Sequence, residues 1–294
     1  MQHFVINPAA GGGRAARAIP ELQRTIEQHK LEATVHVTNK AGDATVLAQT
    51  LPSLEPIVVV GGDGTLHEVI RGLLDGRTRC ERPIGLIPLG TGDDFARGVG
   101  IPLNNLEAAL EIVTRGRTRW FDAARIGDRS FLNGFGAGFD AQVARTVKTT
   151  PKGLPGSLRY LLAIIQELSA LEPRYAKVFA DDMLVHDNPA LLIAVMNLKG
   201  YGGGLKINPN ANGFDGLLEI VIGGRFSKLG TLGILPQLAQ GKHLGHQEVQ
   251  VFQAKKIRLE WRDIMPAHVD GELLEPARVF ELAVLPEAIS IFMP

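Results

Sequence analysis

Three glycine-rich turns hold the residues whose types and spacing can do chemistry. They are Asn7-Pro8-Ala9-Ala10-Gly11-Gly12-Gly13-Arg14, Gly61-Gly62-Asp63-Gly64-Thr65 and Leu89-Gly90-Thr91-Gly92-Asp93-Asp94-Phe95. Each follows an apolar run and precedes a stretch of helical spacing. Glycines let the backbone approach a ligand closely, and the free N–H groups of a helix opening at Thr65 favour a phosphate. One such turn is commonly no more than a tight turn. Three of them, with Thr and Asp embedded, point to phosphate binding. The chain has neither G-x-x-x-x-G-K-[ST] nor G-x-G-x-x-G, so the phosphate site is of another kind. A lone turn aspartate usually makes a local bond, but Asp63 lies inside a phosphate loop, where a carboxylate can hold Mg²⁺ or its waters.

The elements that must position these loops alternate along the first third of the chain. Residues 3–6, 33–38, 57–60 and 84–87 read as strands. Between and after them, apolar residues recur at helical spacing: Ala15, Ala18, Ile19, Leu22 and Ile26; a short helix over 43–51; Leu66, Val69, Ile70, Leu73 and Leu74; and Leu106, Ala109, Leu110 and Val113. Strand, turn and helix in repetition imply an open, mostly parallel α/β sheet, with the loops at the strands' carboxyl ends where such sheets bind ligands. After about residue 120, strand candidates dominate: 130–133, 175–180, 190–196, 217–222, 249–252, 256–261 and 278–284. Two helices interrupt them, one with Leu158, Leu161, Leu162, Ile165 and Leu168, the other with Leu229, Leu232, Leu235 and Leu238. The expected division is an α/β domain over 1–125, completed by 278–294, and an antiparallel β domain over 126–277. No long linker separates them, so a cleft between the two is expected.

At 294 residues the chain can bury a full core, and 45% hydrophobic with 21% charged residues is ordinary for a globular protein. Lysine plus arginine equals aspartate plus glutamate, at 31 each, so no global charge argues for nucleic acid. Cys80 is the only cysteine, read as a buried inert thiol in a reducing cytoplasm. No signal peptide and no run of about 18 apolar residues is seen. The histidines lack zinc-ligand spacing, and no G-x-S-x-G nucleophile motif is present.

GGDGT after an apolar strand resembles the superfamily of diacylglycerol, sphingosine and NAD kinases and phosphofructokinases. NPxxG at the start, PLGTxxDFAR at 88–97, NGFGAGFDA at 133–141 and VDGE at 269–272 together resemble the diacylglycerol-kinase catalytic family, in the order and spacing of bacterial soluble lipid kinases. The resemblance covers nearly the whole chain. It implies an N-terminal α/β domain, a C-terminal β-sandwich, ATP in the cleft between them, and a last strand over about 278–292 that returns to the first domain. It matches Asn7, Gly12, Gly61, Gly62, Asp63, Gly64, Thr65 and Thr91 to nucleotide-contacting loops and Thr38 to a further contact. Arg14, Glu68, Gly90 and Asp94 belong to the same loops and the helix after the second. Glu272 matches the proton acceptor and Asp122 a carboxylate near it. Asp215 matches a ligand of a structural Mg²⁺, with carbonyls from about Asn212 and Leu217. The family usually reads GTxNDFA, with Asn where this chain has Asp93. Asn donates a hydrogen bond and ionised Asp cannot.

Phosphoryl transfer needs positioning, neutralised phosphate charge and removal of the acceptor proton. Glu272 is the first candidate base, with Asp63 and Asp122 as rivals. Asp63, Asp94 and Asp122 are candidates to hold Mg²⁺. His67 is read as a buried helix histidine rather than a nucleotide contact, and His268 as a neighbour able to tune Glu272. Residues 141–166 contain no acid, and carry Arg145, Lys148, Lys152 and Arg159 among Leu154, Leu158 and Leu161. Such a segment suits either an anionic membrane or an ordinary loop before a core helix. The expected activity is ATP-dependent phosphorylation of a lipid of diacylglycerol or sphingoid type, by a cytoplasmic protein that visits the membrane surface transiently. A homodimer is compatible with the sequence. The alternatives are an NAD kinase, which shares GGDGT, and an inactive nucleotide-binding regulator.

Overall fold

The computed structural model describes the chain except residues 53, 152 and 169–171. It divides into two compact units, Met1–Ala123 with Leu285–Pro294, and Ala124–Val284.

Unit 1 runs β1 (Gln2–Ile6), α1 (Ala10–Gln28), β2 (Ala33–Val37), α2 (Asp43–Thr50), β3 (Ile57–Gly61), α3 (Asp63–Leu73), β4 (Cys80–Pro88), α4 (Asp94–Val99) and α5 (Leu106–Arg115), then enters β5 (Thr118–Ile126). Strands β2, β1, β3 and β4 lie side by side in that order, all parallel. Every residue of β3 is buried, as a strand covered on both faces requires. The helices show their apolar faces at the expected spacing: Leu66, Val69, Ile70 and Leu73 on α3, and Leu106, Ala109, Leu110 and Val113 on α5, are buried. The Asn105 side chain caps α5 by accepting from Ala108 N–H. Arg82 is fully buried and donates to the carbonyls of Ala48 and Leu51, closing the end of α2. Cys80 is buried.

Unit 2 holds β6 (Arg129–Phe131), β7 (Gly134–Gly138), α6 (Phe139–Val147), α7 (Gly156–Glu167), β8 (Arg174–Ala180), β9 (Met183–Ala190), β10 (Leu192–Met196), β11 (Leu218–Gly223), α8 (Lys228–Gln240), β12 (Val249–Ala254), β13 (Lys256–Met265), β14 (Ala267–Val269), β15 (Glu272–Leu273) and the first half of β16 (Ala277–Phe292). One antiparallel sheet here runs β16-β13-β8-β9, the other β12-β11-β10-β7-β14-β15. Phe135, Ile193, Ile220, Leu259, Trp261 and Phe280, drawn from both sheets, pack into one core. A second cluster joins the β7–β10–β11 region to α6, α7 and α8 through Phe139, Val143, Tyr160, Ile164, Met196 and Phe226. The last eight residues of β16 lie in unit 1, where Ile289 to Ile291 pair in parallel with β4.

The segment 141–166, read as a membrane-leaning stretch or an ordinary loop before a core helix, is largely helical in α6 and α7. Arg159, expected as a surface cation, donates to Val147 O at 2.6 Å and Thr150 Oγ1 at 2.9 Å, tying the end of α6 to α7. Lys152 lies outside the described residues. Strands β5, β7, β9, β14 and β15 were not expected. On α8, Leu235 and Leu238 pack against the second cluster as the spacing predicts, whereas Leu229 is 82% exposed.

Candidate active site

The three glycine loops of unit 1 converge because backbone packs on backbone. A Cβ on Gly62 would lie 2.8 Å from Gly90 Cα, one on Gly90 2.5 Å from Gly62 Cα, and one on Gly11 2.2 Å from Leu89 O. Only glycine fits at these three positions. Gly11, Gly12 and Gly13 take positive φ of 59°, 66° and 83°, a left-handed turn before the regular part of α1. Asn7 joins the first loop to the second: its Nδ2 donates to Thr65 Oγ1 at 3.1 Å while its Oδ1 accepts Ala9 N–H at 3.1 Å. Arg14 joins the first to the third by donating to Gly90 O at 3.2 Å and to Asn104 Oδ1. Thr38, buried just beyond β2, donates to Ile6 O, which leads into the first loop. Gly12, Gly64 and Thr91 are exposed on the loops, and Glu68 is half-buried on α3. Asn104 was missed, for it gains its role only through Arg14. His67 is buried on α3.

The carboxylates divide their work. Asp63 accepts Asp94 N–H on Oδ2 and Phe95 N–H on Oδ1, both at 3.0 Å, so it caps α4 from another loop. A Cβ on Gly92 would lie 3.1 Å from Asp63 Oδ2 and 3.3 Å from Asp94 Oδ2, so these two carboxylates flank Gly92. Hard oxygens so placed fit Mg²⁺ that keeps waters and phosphate as its other ligands. Asp122 is buried on β5 and accepts Glu287 N–H at 2.8 Å. Among the described residues no group of three or more His, Cys, Asp and Glu side chains is arranged to hold a metal by itself. In unit 2 the exposed Asp215 accepts Leu217 N–H at 3.0 Å on Oδ1, and Asn212 O accepts Phe214 N–H at 2.8 Å. The first bond closes Asp215 on Leu217 and the second closes Asn212 on Phe214.

Asp93 sits at φ 51°, a conformation Asn and Asp tolerate better than most residues. Its Oδ1 accepts Gly90 N–H at 2.9 Å. Burial, and then the neighbouring Asp63, push its carboxyl up to about 7. A raised carboxyl binds more protons folded than unfolded, so its contribution to stability falls as pH rises from about 4 through about 7. Asp93→Asn keeps the acceptor for Gly90 and removes the charge. The variant is expected to match wild type near pH 4 and to exceed it by about 1–3 kcal/mol at pH 8, read from denaturant unfolding across pH. Parallel stability curves for the two proteins would show that the charge costs nothing.

In unit 2 the turn between β14 and β15 carries Glu272, half-buried and paired with Val269. Asp270 pins this turn by accepting the N–H groups of Leu132, Asn133 and Gly134 at 2.9, 3.0 and 2.9 Å. His268 lies beneath it, wholly buried, with Nε2 3.0 Å from Asp140 Oδ2 and Nδ1 3.4 Å from Gly271 N. An N–H donated to Nδ1 leaves the ring proton on Nε2, facing Asp140. Tyr201 O–H donates to the same Asp140 oxygen. Burial, and then Asp140, push the Tyr201 hydroxyl well above its ordinary value, so it stays protonated. Gly136 pairs with His268, and a Cβ there would sit 1.9 Å from Asp140 Oδ2. Asp140 also lines a cavity of about 110 Å³ whose other walls include Phe139, Val143, Tyr160, Ile164 and Leu235. Asp140, Tyr201 and Asp270 were not singled out from sequence. Asp140 and Asp270 stand in glycine-bearing motifs that could have flagged them; Tyr201 carries no such signal.

Residues 2–126 match the diacylglycerol kinase catalytic domain, and residues 134–293 match the YegS C-terminal NAD kinase beta sandwich-like domain. The chain belongs to the diacylglycerol kinase family of lipid kinases. It is 31% identical over 297 residues to a diacylglycerol kinase of Mycobacterium tuberculosis, covering 98% of this chain and 93% of that one. It is 28% identical over 273 residues to a diacylglycerol kinase of Bacillus subtilis, covering 92% and 88%. The fold is shared with a diacylglycerol kinase from Bacillus anthracis, at a TM-score of 0.76 and 22% identity over 100% of this chain and 96% of that one. It is shared more distantly with an NAD kinase from Archaeoglobus fulgidus, at 0.56 and 15% over 99% and 93%. Among the described residues no helix is long and apolar enough to cross a membrane.

Proposed function

We propose that this protein transfers the γ-phosphate of ATP to the hydroxyl of a lipid of diacylglycerol or sphingoid type. The observation that carries the reading is the apolar cavity of unit 2. At Asp140 its wall joins the network that holds His268 and, through it, the turn bearing Glu272. A soluble nucleotide acceptor has no use for such walls, whereas an acyl chain gains by leaving water. Asn7, Arg14, Thr65 and the glycines around them bind the triphosphate through side chains and free N–H groups. Asp63 and Asp94 would hold Mg²⁺, which would supply neutralisation of the phosphate charge. Glu272 takes the proton of the lipid hydroxyl as it attacks. Asp215 with the Asn212 and Leu217 carbonyls would hold a second, structural Mg²⁺. The test is purified protein with labelled ATP and Mg²⁺, offered total lipid extract or NAD. Label in the organic phase supports the reading, label in NADP selects the NAD kinase, and transfer to neither selects a regulator.

The lipid is met at an anionic membrane surface, by a peripheral and transient contact from the cytoplasm. Leu158, Leu161 and Ile165 are exposed on α7, and Leu229 and Leu232 on α8, the two helices that help wall the cavity. The segment 141–166 has no acid, and neither has 224–247. Lys148→Glu combined with Leu161→Glu is expected to lower partitioning onto anionic vesicles by about tenfold or more while leaving ATP affinity unchanged. Unaltered sedimentation with vesicles at low salt would take α7 out of the contact.

A further inference from the structure

The amino end of β4 carries a cation that the glycine loops do not use. Arg82 is 1% exposed. Its Nη1 donates to Ala48 O at 3.2 Å and its Nη2 to Leu51 O at 2.7 Å, both at the end of α2. Among the described residues its Nε–H has no hydrogen-bond partner, and its guanidinium makes no ion pair. The nearby acids are committed elsewhere: Glu55 pairs with His3 at 2.6 Å, and Asp75 accepts from Gln49 Nε2 at 3.1 Å. Burial holds the Arg82 pKa below its ordinary value.

Arg82 lines a cavity of about 290 Å³ within unit 1. Buried Cys80 shares that wall, and the exposed Gln49, Asp75 and Arg77 bring the cavity to the surface. A buried cation without an anionic partner is destabilising. The carbonyl end of a helix carries only about half a negative charge, so α2 answers part of the guanidinium charge. A neutral Gln donates N–H groups to carbonyls without bringing any charge. Capping therefore explains the hydrogen bonds of Arg82 and leaves its charge unexplained.

An oxyanion in the cavity accounts for both. The guanidinium fork suits carboxylate or phosphate. Arg77 brings a second guanidinium to the same cavity, from the turn after α3. A tetrahedral oxyanion has oxygens for both arginines, whereas one fork takes up the two oxygens of a monocarboxylate. The occupant is not the triphosphate, for β4 carries the chain about 20 Å from Arg82 to the start of the third glycine loop.

We infer that Arg82 and Arg77 form a further anion site in unit 1, at the opposite end of β4 from the glycine loops, and that it takes a small oxyanion of phosphate type, as the free ion or as a phosphomonoester. This does not rest on the lipid-kinase reading.

The experiment is calorimetric titration of inorganic phosphate, glycerol 3-phosphate and acetate into the full chain, with ADP at saturation to fill the glycine loops. Wild type is expected to bind phosphate at about millimolar concentration and acetate about tenfold more weakly. Arg77→Glu changes an exposed side chain, and Arg82→Gln keeps a donor for the α2 carbonyls. Each is expected to weaken phosphate by about tenfold with ADP affinity unchanged. Tighter binding of glycerol 3-phosphate than of phosphate assigns the site to a phosphomonoester and the reverse to the free ion; either sustains it. Wild type that takes up no phosphate, an unchanged phosphate affinity in either variant, a loss shared with ADP, or acetate bound as tightly as phosphate would each overturn the assignment. Should Arg82→Gln not fold, Arg77→Glu decides alone: a tenfold loss sustains the site and an unchanged affinity removes it.

Discussion

Glu272→Gln is expected to lower turnover by about two to four orders of magnitude, the range for a lost general base, with nucleotide affinity nearly unchanged. The turn that presents Glu272 is over-determined. Asp270 at φ 47° and Gly271 at φ 82° bend the chain, three backbone N–H groups hold the Asp270 carboxylate, and His268 sits beneath Gly271. A base so held pays little reorganisation when the hydroxyl arrives, which is what positioned catalysis needs. Gln preserves size and can occupy the same turn, so folding stability is expected to shift by no more than about half a kcal/mol. A Glu272 that merely positions lipid gives another signature, a lipid KM that rises more than turnover falls. Steady-state kinetics varying ATP and lipid separately distinguishes the two. Unchanged turnover at saturating lipid would exclude Glu272 as the base.

Much of unit 1 is legible because its strands are short apolar runs and its helices carry apolar residues at regular spacing. Unit 2 is harder, and the reasons are local. β7 reads GFGAG, three glycines in five residues, which looks like a loop. The glycines serve neighbours invisible in sequence: a Cβ would meet Met196 at Gly134, Asp140 and His268 at Gly136, and Leu191 O at Gly138. β9 ends in Asp-Asn-Pro-Ala and lies at the edge of its sheet, where proline and polar residues are tolerated because one side lacks a partner strand. The segment 141–166 shows basic residues and leucines but not which of them are engaged. Arg159 closes α6 onto α7, a role fixed by the Val147 carbonyl and the Thr150 hydroxyl, which no spacing rule reports.

The candidate site divides in the same way. Loops with Gly, Thr and Asp after strands announce themselves. Contacts between distant segments do not: Tyr201 reaches Asp140 across 61 positions, and Asp270 reaches Leu132 across 138. Asp93 is the instructive case. Its type alone suggests an extra negative charge beside phosphate, yet burial and Asp63 hold its carboxyl near neutrality, so below about pH 7 it is a hydrogen-bonding acid close in character to the usual Asn.

Asp63→Asn is expected to lower turnover by about two to four orders of magnitude, since several kcal/mol of charge stabilisation go with a lost metal ligand. The structure adds a second consequence. Both Asp63 oxygens accept backbone N–H groups at the start of α4, and Asn has an oxygen for only one of them. The lost cap is expected to cost about 1–2 kcal/mol, leaving a folded but slightly less stable protein. Removing the Asp63 charge also relieves Asp93, whose carboxyl is expected to titrate lower, so the pH dependence of stability moves to lower pH. Asp94→Asn separates the two roles of Asp63, because it removes a carboxylate beside Gly92 while leaving the Asp63 cap in place. If both acids hold the metal, each variant raises the Mg²⁺ concentration needed for half-maximal activity, and only Asp63→Asn shows the loss of cap stability. Near wild-type turnover of Asp63→Asn at ordinary Mg²⁺ would sink the metal role and leave Asp63 as the residue that fixes the third loop against the second.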